Sequence, residues 1–222
     1  MIKSGDKILI VAPHPDDEAL GAGGMLMQYG EQTDAICMIS SGVGKTIDEA
    51  REKSDIRIAE WNAAIAFCGA NNLGCFAAWD TKGNMTDKIT ALLSEYLVAI
   101  KTNRYDWIFM PQPNDNHPEH RFITNTIMKK VLRKNGYKKN LKIAFYEVWR
   151  TIETPNLYIP IEANQKEKLL GFYKSQFAKH NFIPAILGLN NYRGFTNWYD
   201  GAKFAEAFAV IPVRKYLRRF WK

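Results

Sequence analysis

His14, Asp16, Asp17 and Glu18 fall within five residues of one another. An imidazole beside three carboxylates can bind a divalent cation or carry a proton, but so short a stretch cannot complete a tetrahedral site. Hydrolytic zinc takes three protein ligands, mostly His nitrogens and Asp or Glu oxygens, and keeps one position for water. A further ligand must therefore come from elsewhere. The other dense group is Asn114-Asp115-Asn116-His117-Pro118-Glu119-His120-Arg121, which holds two of the chain's four His residues. Pro13 and Pro15 flank His14 and fix two backbone torsions, so the first cluster sits on a stiff loop.

Each cluster follows an apolar run, Ile8-Leu9-Ile10-Val11-Ala12 in one case and Trp107-Ile108-Phe109-Met110 in the other. Both are too short for a helix and suit strands buried on both faces. Open sheets bind ligands beyond the carboxyl ends of their strands, so the two clusters are expected to meet on one edge of a parallel sheet. Helices are predicted over residues 18–29, 47–68, 89–100, 119–134 and 165–177, and strands over 34–40, 74–79, 142–148 and 208–211. That alternation predicts an α/β fold, a mostly parallel sheet with helices on both faces, in a single domain over residues 1–222. Gly21, Gly23 and Gly24 would let the first helix approach the sheet or a substrate closely. They do not form a dinucleotide fingerprint, because the required spacing is absent. Residues 180–200, rich in Asn, Gly and aromatics including Tyr192, Trp198 and Tyr199, read as a long loop. It would be either a lid or sugar-stacking wall, or an aromatic-pinned surface segment.

With 222 residues, 46% of them hydrophobic and 13% aromatic, the chain can bury one substantial core and is not disordered. No apolar run reaches the ~20 residues of a membrane-spanning helix. The N-terminus enters a strand without a signal-like segment, so a cytoplasmic location is expected. Cys37, Cys68 and Cys75 sit in apolar surroundings and suit reduced, buried thiols. Lys and Arg exceed Asp and Glu by seven, with eight basic residues and no acid between Arg121 and Tyr146. Such a field favours a phosphorylated or carboxylated substrate, nucleic acid or an acidic membrane surface; a solvated face is the plainer account. Residues 129–142 lack both a recognition motif and interleaved aromatics, which counts against nucleic acid. The basic, aromatic segment from Arg214 to Lys222 suggests weak contact with an anionic membrane or a lipid-linked sugar. Oligomeric state has no signature here.

The chain resembles the N-acetylglucosaminylphosphatidylinositol deacetylase (PIG-L) family, the LmbE-like deacetylases. The resemblance rests on Ala12-Pro13-His14-Pro15-Asp16-Asp17-Glu18 with Gly21 to Gly24 behind it, and on His117-Pro118-Glu119-His120-Arg121. Arg57-Ile58-Ala59-Glu60, Tyr173-Lys174-Ser175-Gln176 and Ala205-Glu206-Ala207-Phe208 are weaker matches. It implies a Rossmann-like three-layer sandwich and a hydrolase that uses metal-activated water to remove an N-acetyl group from an N-acetylglucosamine-containing conjugate. The ion would be zinc, with iron(II) as the other choice, and the conjugate a small molecule, anionic or lipid-linked. His14, Asp17 and His120 would be the metal ligands and Asp16 the general base. His117 would stay free, as a cation able to stabilise the oxyanion or protonate the leaving amine. Arg57, oriented by Glu60, and Asp80 would contact substrate. On the residues alone, each has another account. Asp16 suits a helix N-cap, Arg57 and Glu60 suit a surface pair, Asp80 suits a turn, and spacing does not choose between His117 and His120 as ligand. Glu119 stands where the family more often has Asp, an exchange expected to matter little because that side chain is not a ligand. His180 is read as structural. Two rival readings are a metal-dependent phosphoesterase, which needs carboxylates for two ions ~3.5–4 Å apart, and a nucleic-acid-binding module.

Overall fold

The computed structural model describes residues 1–80, 91, 95, 98, 100–178, 180–196 and 202–214. A seven-stranded sheet is built from β1 (Ile8–Ala12), β2 (Thr33–Cys37), β4 (Asn71–Cys75), β6 (Trp107–Pro111), β7 (Lys142–Tyr146), β8 (Leu157–Pro160) and β9 (Ala205–Pro212), in the order β4-β2-β1-β6-β7-β9-β8. β1 runs parallel to β2 and β6, β7 runs parallel to β6, and β9 is antiparallel to both β7 and β8. A separate short ribbon pairs β3 (Gly42–Val43) with β5 (Trp79–Asp80).

All five residues of β1 are buried. Ile8, Ile10 and Ala12 pack into one core with Leu20, Leu26, Trp61, Ile65 and Leu169, while Leu9 and Val11 pack into a second with Ile123, Met128 and Leu132. Burial on both faces is why the strand reads as a continuous apolar run rather than an alternation. The chain lays down β1, β2 and β4 to one side and then returns across β1 to place β6 and β7 on the other. The strand order therefore reverses between β1 and β6, the position at which open α/β sheets form a crevice.

The first helix, α1 (Asp17–Tyr29), is kinked at Ala22, whose φ of −145° is not helical. A kink frees backbone groups that must find other partners. Here the Glu206 carboxylate of β9 accepts from the N–H groups of Gly24 and Met25 at 2.8 and 2.9 Å. The Lys166 ammonium donates to the Leu20 carbonyl at 2.8 Å and to Glu206 at 2.6 Å. Both side chains are almost wholly buried. The glycines of this helix serve packing rather than substrate approach: a Cβ on Gly21 would overlap the Tyr146 ring, and one on Gly24 would overlap Ile161.

The second helix, α2 (Ile47–Phe67), starts at Thr46, whose side chain accepts from the Glu49 N–H at 3.2 Å. The helix expected over 119–134 is α3 (Pro118–Thr126), a π-helical turn (Ile127–Val131) and α4 (Leu132–Asn135). That expected over 165–177 breaks into α5 (Ala163–Leu170) and α6 (Lys174–Phe177).

Two expectations are corrected, and one strand is additional. The strand placed at 74–79 is Asn71–Cys75, because Asn71 and Asn72 pair in register with Asp34 and Ala35. The edge strand β8 had not been anticipated. In place of the loop expected over 180–200, Ile183–Thr196 is a helix, α7, despite its Gly and Asn content, and residues 197–200 lie outside the described residues. Its Ile183 and Ile186 pack on the first core, and buried Arg193 pairs with Glu147 at 2.5 Å and donates to the Ile152 carbonyl at 2.8 Å. Trp198, Tyr199 and residues 215–222 lie outside the described residues, as does most of the helix expected over 89–100. Among the described residues no helix is long and apolar enough to cross a membrane. All three cysteines are free thiols, Cys37 and Cys68 buried and Cys75 half-buried.

Candidate metal centre

β1 delivers its loop directly to the crevice. The backbone N–H of His14 donates to Asp17 Oδ2 at 2.9 Å, and the Asp17 N–H returns to the His14 carbonyl at 3.3 Å, closing a tight turn. Asp16 sits between them with φ at +129°, a conformation a residue with a Cβ rarely adopts. It occupies the N-cap position of α1, yet its side chain makes no capping hydrogen bond. The capping role open to it in the sequence is thus not the one it takes. From the neighbouring strand, β6 leads to Asp115, which is fully buried and accepts from the His117 N–H at 2.8 Å and the Trp149 N–H at 3.2 Å. Pro118 then starts α3, which carries Glu119 and fully buried His120.

The two loops meet. His14 Nδ1, Asp17 Oδ2 and His120 Nε2 lie 3.1–3.2 Å from one another. A tetrahedral ion bonded at ~2.0–2.1 Å spaces its ligand atoms about 3.3–3.4 Å apart, and an octahedral one about 2.9 Å. Two nitrogens and an oxygen at the observed spacing therefore fit a single cation. His117 belongs to the same group: one nitrogen from each of His14, His117 and His120 lies within 4.8 Å of the others. Its Nδ1 is buried without a hydrogen-bond partner. This is the one cluster of three or more such groups among the described residues that is spaced to hold an ion.

The electrostatics of the cluster follow from burial and charge. Burial alone would lower His120, but the Asp17 and Asp115 carboxylates beside it raise it to about 10. Against burial, the same His120 charge holds the Asp17 carboxyl well below the usual carboxylate range. Burial first, and then the Asp17 charge, push Asp16 up to about 7, with Arg57 opposing. Burial, then the neighbouring His14 and His120, lower the pKa of His117 from its ordinary value. Burial raises Glu18 to about 8. Glu18 accepts from the Tyr173 hydroxyl and from the Asp16 N–H, so it acts on the turn from behind.

Two outer carboxylates complete the centre, and sequence reading had assigned neither. Glu119 Oε2 accepts from His14 Nε2 at 2.6 Å, and Asp115 Oδ1 stands 3.3 Å from His120 Nδ1. Each candidate ligand imidazole thus has a carboxylate on the nitrogen facing away from the ion position. The sequence signal for Asp115 was its place in the dense cluster. Glu119 lies in the same cluster, but nothing in the sequence pairs it with His14, 105 residues away.

A cavity of about 680 Å³ opens over these groups and is lined by His14, Asp16, Asp17, Arg57, His117 and Glu119, with Val43, Trp79, Phe122 and Trp149 as apolar walls. Arg57 donates to the Pro15 carbonyl at 3.2 Å and to the Ser41 carbonyl at 3.5 Å, lies 3.8 Å from Asp16 Oδ1, and keeps a buried Nε without a partner. Glu60 does not orient it. The Glu60 carboxylate instead accepts from the Ser175 N–H and hydroxyl at 2.7 and 2.6 Å, which places Gln176 in the cavity wall. The backbone of Asp80 pairs with Val43 in the ribbon at the cavity edge. The basic residues Lys129, Lys130, Arg133 and Lys134 are exposed. They begin about 16 Å along the helix from Pro118, at 1.5 Å per residue, and so stand apart from the cavity.

Residues 9–131 match the family described as PIG-L, GlcNAc-PI de-N-acetylase. No curated protein matches the sequence. Among solved structures, the chain is similar to the N,N'-diacetylchitobiose deacetylase of Pyrococcus horikoshii in complex with its inhibitor MPG, at TM-score 0.74 and 21% identity over 95% of this chain and 85% of that one. A conserved protein from Thermus thermophilus aligns at TM-score 0.63 and 25% identity over 93% and 95% of the two chains. The 4-carboxy-2-hydroxymuconate hydratase of Pseudomonas putida aligns at TM-score 0.67 and 16% identity over 92% and 96%. At such identities the first and last establish the fold alone, and they carry different chemistries on it.

Proposed function

We propose, on the premise that this chain belongs to the PIG-L, GlcNAc-PI de-N-acetylase family, that it is a metal-dependent hydrolase removing the N-acetyl group from an N-acetylglucosamine-containing conjugate. The observation that carries the proposal is the triangle of His14 Nδ1, Asp17 Oδ2 and His120 Nε2, with edges of 3.1–3.2 Å, opening on a cavity that also holds Asp16 and His117. A bound cation would activate water and polarise the amide carbonyl. His14, Asp17 and His120 are its ligands in this reading. The spacing falls between tetrahedral and octahedral values, so it suits zinc and iron(II) alike.

The remaining roles belong to side chains. Asp16, free of any cap and raised to about 7, takes the proton from the attacking water, since a base is most effective when its pKa lies near the working pH. His117 faces the same space and donates an N–H to the oxygen that gains charge as the carbonyl becomes tetrahedral. The proton held by Asp16 then goes to the departing amine, giving free amine and acetate. Arg57 lines the cavity and binds substrate hydroxyl or anionic oxygens; Asp80, on the ribbon, accepts from a substrate hydroxyl. The whole chain, residues 1–222, acts as one domain on a small amino-sugar conjugate.

A screen of N-acetylglucosamine conjugates tests this, with metal-stripped protein given zinc or iron(II) and acetate release measured. Release that depends on added metal is expected. Absence of release with either ion, across free, phosphorylated and lipid-linked conjugates, would overturn the proposal. A two-metal phosphoesterase has less support, because among the described residues one cluster alone is spaced for an ion.

A further inference from the structure

The two candidate ligand imidazoles turn opposite nitrogens inward. His120 presents Nε2 and keeps Nδ1 beside Asp115, whereas His14 presents Nδ1 and gives Nε2 to Glu119. An imidazole can coordinate through Nδ1 only if the proton rests on Nε2, and a carboxylate bonded at Nε2 fixes both that tautomer and the ring angle. We propose that Glu119 is a positioning residue for the metal centre, fixing the His14 tautomer, and that its length as Glu rather than Asp is required for this. The inference rests on the metal-centre reading above.

Length decides the matter. Glu119 Oε2 is 2.6 Å from His14 Nε2, and removing one methylene withdraws the carboxylate by roughly 1.3 Å. The gap becomes about 3.9 Å, beyond hydrogen-bond reach. His14 then keeps no acceptor at Nε2, and its ring is free to rotate or to place its proton on Nδ1. The exchange from Asp to Glu, expected from the sequence to be of little consequence, instead brings a side chain of α3 onto the loop that follows β1. It ties together two candidate ligands that are 106 residues apart.

The test uses zinc alone, with no substrate. Stripped wild-type protein, Glu119→Asp and Glu119→Gln are titrated against a fluorescent zinc chelator to obtain Kd, and cobalt(II) absorption spectra report coordination. Loss of a carboxylate behind a ligand imidazole costs about 10–100-fold in metal affinity. Glu119→Asp is expected in that range, and Glu119→Gln, which keeps an uncharged acceptor, between it and the wild type. If both variants bind zinc within twofold of wild type and give its cobalt spectrum, the Glu119 inference is wrong while the metal centre stands. A wild-type protein that binds neither ion would overturn both. Should Glu119→Asp fail to fold, the Gln variant, matched in shape, carries the same test, and an unchanged Kd in it overturns the inference.

Discussion

Replacing Lys166 by Met should destabilise this protein far more than loss of a surface charge would. The Lys166 ammonium is wholly buried and bonds both the Leu20 carbonyl and Glu206 Oε1, while Glu206, 1% exposed, also accepts from the Gly24 and Met25 N–H groups. Met fills most of the volume but leaves an ionised carboxylate in the interior with two amide donors and no counter-charge, and a carbonyl without its donor. Breaking a buried pair in this way costs about 3–5 kcal/mol, a large share of the ~5–15 kcal/mol that holds a domain together. Urea unfolding followed by Trp fluorescence would show the midpoint falling with an unchanged slope. The double variant Lys166→Met/Glu206→Gln removes the orphaned charge and should recover at least about 1 kcal/mol of the loss. A single variant within 1 kcal/mol of wild type, or a double variant worse than the sum of the two singles, would refute the claim that this pair closes the kink in α1.

Three further outcomes are expected. Asp16→Gly relieves a φ of +129° worth about 1–3 kcal/mol of strain, less the entropy Gly adds to the unfolded chain. The variant should be about 1 kcal/mol more stable while deacetylation falls ~10²–10⁴-fold; a less stable variant would show that the turn is unstrained. His120→Ala should abolish bound metal in elemental analysis of purified protein, and a full equivalent retained would remove His120 from the ligand set. Glu18 is raised from 4.5 to about 8 in the fold, so the native state holds the extra proton between those values and stability falls as pH rises through that window. Chemical denaturation of Glu18→Gln across pH 4.5 to 8 should give a shallower decline than wild type, and parallel curves would contradict the burial argument.

The parts of this fold legible in the sequence are those with one dominant cause. β1 and β6 are buried on both faces, so each reads as an unbroken apolar run, and the polar residues that follow them mark the carboxyl edge. Convergence of His14, Asp17 and His120 followed from that pattern together with the family resemblance. Where tertiary contacts decide, local reading fails. Residues 183–196 contain Pro, two Gly and two Asn, a composition that suits a loop, yet Arg193 anchored on Glu147 and Ile152 holds them as a helix. β8 is four residues long and ends in Pro160, too short to leave a periodic signal. Glu206 looked like a weak match near an ordinary strand; its importance lies in backbone groups freed by a kink at Ala22, which no residue type announces. Glu119 and Asp115 were visible as acids in a cluster, but which imidazole each one braces depends on side-chain reach across the crevice.

The hydrogen bonds from Gly24 and Met25 to Glu206 join groups 182 and 181 positions apart. During synthesis on a ribosome, the helix that begins at Asp17 must wait for some 182 further residues before its freed amides find their acceptor. At ~5–20 residues per second that delay is roughly 10–40 s. The nascent crevice should therefore remain pliable until β9 arrives, so its closure depends on a distant part of the chain rather than on local folding.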